Sequence, residues 1–166
     1  CSPTPDRPSK GWDAALPRTV TRVVLRDRAS GRLLDVRNAH MDHVGAVARE
    51  QCAALAADLA PATVEGATAA VVLMGDFNAG PDTAPYRRVL AAGLRDARAV
   101  SPVVFGPAGT YNDFDIARDN DGVAIDHVFV APGLSVERYG VPTDSFSGQV
   151  ISDHFPVVVD VAPDEK

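Results

Sequence analysis

The run from Thr68 to Met74 constrains the fold more than any other segment, because it shows no alternation of polar and apolar side chains. An unalternating run this short is typical of a strand that is covered on both faces. Such a strand needs a packed layer on each side of its sheet. The run leads directly into Gly75-Asp76-Phe77-Asn78, a polar strand end.

The flanking segments predict an α/β chain. Strands are predicted over residues 19–26, 32–39, 68–74, 124–130, 136–141 and 155–161. The first two form a hairpin turned at Ala29-Ser30-Gly31. Helices are predicted over residues 45–60, where Pro61 ends the pattern, and from Asp82 or Thr83 to Leu90. Loops are predicted over residues 1–18 and 101–123. We expect one predominantly antiparallel sheet flanked by two helices, in a single domain covering residues 1–166.

Composition narrows the possible partners. The formal net charge of −6 argues against nonspecific binding to nucleic acid, although a local site could still bind phosphate. No apolar run is long enough to span a bilayer. Cys1 and Cys52 are too few for a disulfide framework, and the helical context of Cys52 predicts a small buried side chain. The leading cysteine has two explanations, a processed lipid-anchored chain or a fragment of a longer domain.

Aspartates and histidines occur together in this sequence. Three of the four histidines directly follow an aspartate, in the pairs Asp42-His43, Asp126-His127 and Asp153-His154. The ends of predicted strands carry His40, Asp76, Asp126 and His154. Because neighbouring strands of one sheet bring distant residues together, we expect these four side chains to share one site.

These residue types suit phosphoester hydrolysis. That reaction needs a hard divalent cation on carboxylate oxygens, a base for water and donors for phosphoryl oxygens. Aspartate and asparagine oxygens suit Mg²⁺ or Mn²⁺, whereas the scarcity of cysteine and the lack of an HExxH pair argue against a thiolate zinc site or a metalloprotease. A histidine backed by a carboxylate has a fixed tautomer and can act as a base near neutral pH.

Four motifs occur in the order and approximate spacing of the endonuclease/exonuclease/phosphatase superfamily. They are Asn38-Ala39-His40-Met41-Asp42-His43, Gly75-Asp76-Phe77-Asn78, Ile125-Asp126-His127 and Ser152-Asp153-His154-Phe155-Pro156. The resemblance extends from about Lys10 to Val161. It implies a DNase I-like α/β sandwich and a metal-dependent phosphodiesterase or phosphatase.

The resemblance also implies a role for each acidic and catalytic residue. His154 would act on the water nucleophile or the transition state, and Asp126 would orient it. Asp76 would align water or a metal ion, and Asp153 would be a metal ligand. The implied cofactor is Mg²⁺ or Mn²⁺.

Two further positions would contact the substrate phosphate. The resemblance implies that Asn78 donates to a phosphoryl oxygen and that His40 makes a second phosphate contact. The histidine at position 40 also argues against AP-site repair, because the AP endonuclease branch carries a tyrosine there. The acidic net charge favours a small phosphoester or a lipid headgroup over duplex DNA.

Part of the superfamily's fold has no counterpart in this sequence. Its N-terminal half contributes one layer of the sandwich, an early asparagine and a glutamate metal ligand, and no glutamate here lies in a matching context. We therefore expect the isolated chain to bind metal weakly and to hydrolyse little. An exposed apolar sheet face would favour self-association or a complementary N-terminal segment. The alternative function is a catalytically silent half-domain.

Two motifs also have purely structural interpretations. Residues 75–78 could be a strand-ending turn, and residues 152–154 could be a cap before the last strand. The acidic loop over residues 113–121 resembles a calcium loop but lacks the EF-hand spacing, so we interpret it as a solvated loop.

Three other polar side chains have two interpretations each. His43 is expected to support His40, and His127 is expected to lie on the sheet face opposite Asp126. Either could equally be a structural histidine. Arg18 could neutralise a phosphate or lie on a solvated face.

Overall fold

The computed structural model describes residues 1–4, 6–115, 117 and 122–164. In chain order the elements are β1 (Val20–Arg26), β2 (Leu33–Ala39), α1 (Ala46–Asp58), β3 (Thr63–Val64), β4 (Ala67–Thr68), β5 (Ala70–Asp76), α2 (Ala84–Ala91), β6 (Arg95–Asp96), α3 (Ala97–Val100), β7 (Val104–Phe105), β8 (Asp126–Val130), β9 (Leu134–Gly140) and β10 (Val158–Pro163). None of the described helices has the length and apolar character needed to cross a bilayer.

The largest sheet has five strands in the order β1-β2-β5-β8-β6. β1 and β2 form the predicted hairpin, with Gly31 in its turn at φ 72°. β2 and β5 are parallel because α1 lies between them and returns the chain. β8 is antiparallel to both β5 and β6. The two longer helices also lie where periodicity predicts them, within two residues at each end.

β5 is covered on both faces, as its unalternating sequence predicts. On one face, Leu73 belongs to a buried cluster with Ala53 of α1 and Val89 of α2. On the other face, Val72 belongs to a buried cluster with Val136 of β9. Helices therefore cover one side of the five-stranded sheet, and a second sheet covers the other.

The second sheet has three strands in the order β10-β9-β7, and β3 pairs with β4 as a separate two-stranded hairpin. A single sheet was predicted from the sequence, and the described residues form three, so this assignment of strands was wrong. Periodicity shows which side chains are buried, but it carries no information on which strands are neighbours.

Four short elements, β3, β6, α3 and β7, lie where the sequence predicted no strand or helix. β7 falls within residues 101–123, which were predicted to be a loop, and β6 and α3 follow α2 directly. Two-residue strands are too short to show a period. Asp96 is the N-cap of α3, and its carboxylate accepts the backbone N–H of Arg98 at 3.0 Å.

The two cysteines form a disulfide, Cys1–Cys52, which corrects the prediction that Cys52 is only a small buried side chain. Cys52 is 1% exposed, so its predicted burial is nevertheless observed. The N-terminal segment folds back on itself beside α1, and a Cβ atom at Gly11 would lie 2.6 Å from the carbonyl oxygen of Cys1. The disulfide depends on this packing of the N-terminal segment, which cannot be inferred from the spacing of the two cysteines in the sequence.

A buried ion pair joins the five-stranded sheet to α1. Arg37 and Asp35 are both fully buried, and Arg37 Nη2 donates to Asp35 Oδ2 at 2.8 Å. Arg37 Nη1 also donates to the carbonyl oxygen of Ala56 in α1 at 2.7 Å. Arg22 of β1 donates to both oxygens of the Asp35 carboxylate. The charges are therefore matched by partners, as buried charges require.

Candidate active site

Three strand ends meet at one edge of the five-stranded sheet. Because β2 and β5 are parallel, His40, which follows β2, lies at the same edge as Asp76, the last residue of β5. β8 begins at this edge, and its first residue, Asp126, is paired with Asp76 in the strand register. His40 Nε2 lies 3.2 Å from Asp76 Oδ2. The fold thus brings together three of the four side chains that the sequence assigned to one site.

His154 reaches this edge from a different part of the chain. A β-bridge pairs it with Tyr111, and Phe155 N–H donates to the carbonyl oxygen of Thr110 at 2.7 Å. His154 Nδ1 lies 2.7 Å from Asp126 Oδ2, and the Thr110 hydroxyl donates to the same oxygen at 2.6 Å. Thr110 Oγ1 also accepts the backbone N–H of Asp126, so this carboxylate is held in one orientation.

The pairing with Asp126 fixes the tautomer of His154. A carboxylate only accepts hydrogen bonds, so Nδ1 carries the proton that it shares with Asp126. Nε2 then faces Asp76, whose Oδ2 lies 3.9 Å away. One ligand atom from each of Asp76, Asp126 and His154 lies within 4.8 Å of the others, which is close enough for a shared metal ion.

The site's charges shift the pKa values of its members. Burial disfavours the imidazolium of His154, but the hydrogen bond with Asp126 and the carboxylates of Asp126, Asp76 and Asp153 outweigh it and raise its pKa. Burial also raises the pKa of Asp76; the charge of Asp126 adds to this, while the N–H of Asn78 opposes it. Two neighbouring carboxylates at a partly buried edge favour either a proton or a cation between them.

Asn78 and Gly75 shape the backbone around Asp76. Asn78 N–H donates to Asp76 Oδ1 at 2.7 Å, and its side-chain amide donates to the carbonyl oxygen of Met41 at 3.0 Å. Asn78 has a φ of 48°, a conformation in which asparagine is enriched. Gly75 has a φ of 138°, and a Cβ atom there would lie 1.9 Å from the carbonyl oxygen of Ala39. Only glycine allows β2 and β5 to approach this closely.

Asp153 lies beside this cluster rather than within it. Its backbone carbonyl accepts the N–H of Asn112 at 2.7 Å, and its carboxylate accepts the Ser152 hydroxyl at 3.4 Å. Its charge contributes to the raised pKa of His154, so the two side chains are near each other. Asp153 is not among the three residues whose ligand atoms converge in the described part of the chain.

The cluster opens into a cavity between the five-stranded sheet and the segment over residues 151–157. This cavity has a volume of about 410 Å³, and Asp126 and His154 line it together with apolar side chains such as Ile151 and Phe155. A larger cavity of about 560 Å³ lies at the other end of β5, beside Ala70, and its lining contains none of the clustered residues. The smaller cavity therefore gives access to the polar cluster.

His127, His43 and Arg18 are not members of this cluster. His127 is buried among Phe77, Tyr86 and Phe129, on the face opposite Asp126, and its Nε2–H donates to the carbonyl oxygen of Ala79. Burial lowers its pKa, so it is a neutral core histidine.

His43 and Arg18 contact each other at 3.1 Å, between His43 Nδ1 and Arg18 Nη2. The predicted support of His40 by His43 is not among the hydrogen bonds of the described residues. Part of the acidic loop over residues 113–121 falls outside the described residues. Thr110 was not predicted as a site residue, because a hydroxyl that acts through a long-range contact leaves no pattern in the sequence.

Comparisons with known proteins agree on one family. A model of the endonuclease/exonuclease/phosphatase family matches residues 3–154. A mannosyl-6-phosphatase from Bacteroides thetaiotaomicron VPI-5482 is 35% identical, with a TM-score of 0.87 over 97% of this chain and 63% of its own. An endonuclease/exonuclease/phosphatase family protein from Bacteroides thetaiotaomicron is also 35% identical, with a TM-score of 0.89 over 99% of this chain and 63% of its own.

A functionally unknown conserved protein from Enterococcus faecalis V583 is 26% identical, with a TM-score of 0.81 over 98% of this chain. This chain spans 63% of the length of each of these three structures. Curated protein sequences give no significant match.

Proposed function

Because this chain belongs to the endonuclease/exonuclease/phosphatase family, we propose that it is a divalent-metal-dependent phosphoester hydrolase that uses His154 and Asp126 to activate water. The convergence of Asp76, Asp126 and His154 within 4.8 Å carries this proposal. Two carboxylates and an imidazole beside a cavity supply a base and metal-ligand oxygens together.

His154 is the proposed base. Asp126 accepts a hydrogen bond from Nδ1–H, so the unprotonated Nε2 can take a proton from water. The same carboxylate stabilises the imidazolium that forms, and the Thr110 hydroxyl holds it in place. This division of roles resembles the carboxylate-histidine pairs of other hydrolases.

Asp76 and Asp153 are the proposed metal ligands. The donor set fits Mg²⁺ or Mn²⁺, because hard divalent cations prefer carboxylate oxygens. The raised pKa of Asp76 supports this choice, since a cation would relieve the repulsion between its carboxylate and that of Asp126. When bound, the ion would polarise the phosphoryl group and neutralise its charge.

His40 and Asn78 are the proposed phosphate contacts. His40 has a side chain that is 60% exposed and a nitrogen 3.2 Å from Asp76, so it can reach a group bound there. The side-chain amide of Asn78 donates to the carbonyl oxygen of Met41 at 3.0 Å and to Asp76 Oδ2 at 3.3 Å, so its contact with phosphate would replace the longer of these two hydrogen bonds.

We propose a phosphomonoester of a small hydroxylated alcohol as the substrate. The similarity to a mannosyl-6-phosphatase at 35% identity supports a phosphatase, and the net charge of −6 disfavours a polyanion. A phosphodiesterase remains the second possibility within the same chemistry.

A catalytically silent chain that binds a complementary segment is the alternative. It is favoured by exposed apolar side chains on β1, where Val23 is 46% and Leu25 is 48% exposed, and by the larger cavity between the sheets. The structures that resemble this chain extend well beyond it, and a complementary segment or a second copy would cover these surfaces.

One assay separates the two functions. The 166-residue chain and the longest natural polypeptide that contains it are incubated with Mg²⁺ or Mn²⁺ and with mannose 6-phosphate, 4-nitrophenyl phosphate, bis(4-nitrophenyl) phosphate or duplex DNA. We expect the longest natural polypeptide to hydrolyse the monoesters in a metal-dependent reaction, which His154→Ala abolishes and which Asp58→Ala leaves intact, and we expect the 166-residue chain alone to hydrolyse little. Asp58 is an exposed carboxylate in an ion pair with Arg88 and serves as the matched control. Turnover that is unchanged by His154→Ala or by removal of metal would refute the hydrolase proposal.

A further inference from the structure

Asp42, Arg18 and His43 form a series of polar contacts that takes no part in the proposed chemistry. Asp42 Oδ2 lies 3.6 Å from Arg18 Nε, and Arg18 Nη2 lies 3.1 Å from His43 Nδ1. The Asp42 carboxylate is fully buried, the Arg18 side chain is 11% exposed, and His43 is exposed. The contacts therefore run from the interior to the surface and end on an imidazole.

Asp42, at the buried end of this series of contacts, is held by several hydrogen bonds. Asp42 accepts the backbone N–H groups of Ala15 and Leu16 from the N-terminal segment, and those of Val44 and Gly45 at the start of α1. Burial alone would raise the pKa of Asp42, but these hydrogen bonds outweigh it and hold the pKa well below its usual range. Asp42 is thus a fixed negative charge, and it keeps the guanidinium of Arg18 in place.

Arg18 in turn fixes the tautomer of His43. A guanidinium has only donors, so the Nδ1 atom of His43 must accept its N–H. The imidazole is then neutral, with its proton on Nε2. Because the ring is exposed, Nε2–H is a hydrogen-bond donor that this chain of contacts holds toward solvent.

This donor is close in the sequence to His40 of the proposed active site. His43 follows His40 by three residues, so their Cα atoms are at most about 11 Å apart. The segment between them is tied to the site, because Met41 N–H donates to the carbonyl oxygen of Asp76 at 2.8 Å and its own carbonyl accepts the Asn78 amide. A hexose attached to a phosphoryl group beside Asp76 would span a distance of this order.

We propose that His43, positioned by Arg18, donates its Nε2–H to a hydroxyl oxygen on the alcohol part of the substrate and so selects polyhydroxylated phosphoesters. This inference rests on the proposed function. In the proposed function His40, Asp76 and His154 surround the reacting phosphoryl group, and a donor within about 11 Å of His40 would be in reach of the alcohol part of the substrate. A neutral N–H suits an uncharged hydroxyl. Arg18 is a positioning residue here, since it acts through His43.

The first experiment does not depend on catalysis. Nitrogen-15 NMR of the imidazole side chains in the 166-residue chain is expected to show the Nε2–H tautomer for His43, and Arg18→Met is expected to release it into a mixture of tautomers. Mannose 6-phosphate should shift the His43 resonances, whereas inorganic phosphate alone should not. An Nδ1–H tautomer in the unmodified chain, or equal shifts with both ligands, would overturn the proposal.

The second experiment uses kinetics. His43→Phe keeps a ring but removes the donor, so we expect kcat/KM for mannose 6-phosphate to fall about fivefold to tenfold, mainly through KM. Hydrolysis of 4-nitrophenyl phosphate, whose alcohol part has no hydroxyl to contact His43, should change less than about twofold. His43→Gln retains an N–H near the same position and should restore most of the loss.

Arg138→Met is the matched control for Arg18→Met, because Arg138 forms an exposed ion pair with Asp160 in the other sheet. Equal losses on both substrates in His43→Phe would show a structural role and overturn the proposal. If the unmodified protein hydrolyses neither substrate, the proposed function fails, and the NMR binding result alone decides whether His43 meets the sugar.

Discussion

Replacing Asp126 with asparagine tests the histidine pair with little change of shape. The Thr110 hydroxyl and the His154 imidazole both donate to Asp126 Oδ2. An amide at this position satisfies both donors only if its carbonyl oxygen occupies the Oδ2 position and its NH₂ group occupies the Oδ1 position. The Asp126→Asn variant should therefore keep the imidazole in place and remove only the negative charge.

The expected loss of activity follows from that geometry. A hydrogen bond to a charged group contributes about 1.5–3 kcal/mol, and one between neutral groups about 0.5–1.5 kcal/mol. The difference of about 1–2 kcal/mol corresponds to a decrease in kcat of about 5-fold to 30-fold. An asparagine that turned its NH₂ group toward His154 would force the wrong tautomer, and the loss would then be on the order of 10⁴-fold. Thr110 prevents this rotation, so adding Thr110→Val should deepen the loss.

The pH dependence of kcat/KM should shift in a direction that follows from the pKa of His154. In the folded protein the pKa of His154 is raised despite its burial, with Asp126 as the main favourable partner, so the neutral imidazole that can accept a proton forms only at higher pH. Asp126→Asn should lower this pKa, and the rising limb of kcat/KM should move to lower pH. NMR titration of the His154 ring measures the same shift without activity. Thr110→Val, which keeps the carboxylate, serves as the control and should shift the titration less. A titration unchanged by Asp126→Asn, or a loss near 10⁴-fold in the single variant, would refute this reasoning.

Three other changes test the site and the fold. Asp76→Asn should weaken Mn²⁺ binding, measured by calorimetry, by about tenfold or more, because it removes a charged ligand oxygen; unchanged affinity would exclude Asp76 as a ligand. Arg37→Met should lower the free energy of unfolding in urea by about 3–5 kcal/mol, since it leaves Asp35 as a buried charge with only Arg22 as its cationic partner; a loss below about 1 kcal/mol would contradict this. Cys52→Ser opens a disulfide across a separation of 51 residues and should cost about 2–4 kcal/mol in the same assay, with no further effect of reductant on the variant.

The pattern of apolar residues predicted the strands and helices well where the side chains of an element are clearly buried. The run ending at Met74 predicted a strand covered on both faces, and α1 and α2 lie within two residues of their predicted bounds. The division of strands between two sheets could not be predicted, because β9 would show the same pattern beside either neighbour. The disulfide of Cys1 was missed for a similar reason, since it depends on how the N-terminal segment packs on α1.

The site was predictable to the extent that strand ends define it. Once β2 and β5 are parallel and β8 is antiparallel to β5, three of the predicted residues must meet at one edge. Thr110 had to be found from the structure, because its hydroxyl acts across 16 positions in the chain. The roles of Asp153 and Asn78 as ligand and phosphate donor remain predictions.

The close approach of β2 and β5 links the fold to the proposed chemistry. Gly75 allows the backbone of β5 to touch the carbonyl oxygen of Ala39, and the next residue on each strand is a member of the site, Asp76 and His40. A side chain at position 75 would push these strands apart at the point where the imidazole and the carboxylate lie 3.2 Å from each other. The glycine in the Gly75-Asp76-Phe77-Asn78 motif is therefore explained by strand packing, and the aspartate has a role only in the proposed chemistry. Because these two features fall on adjacent residues, the sequence motif is compatible with both a strand-ending turn and a site, and the two interpretations do not exclude each other.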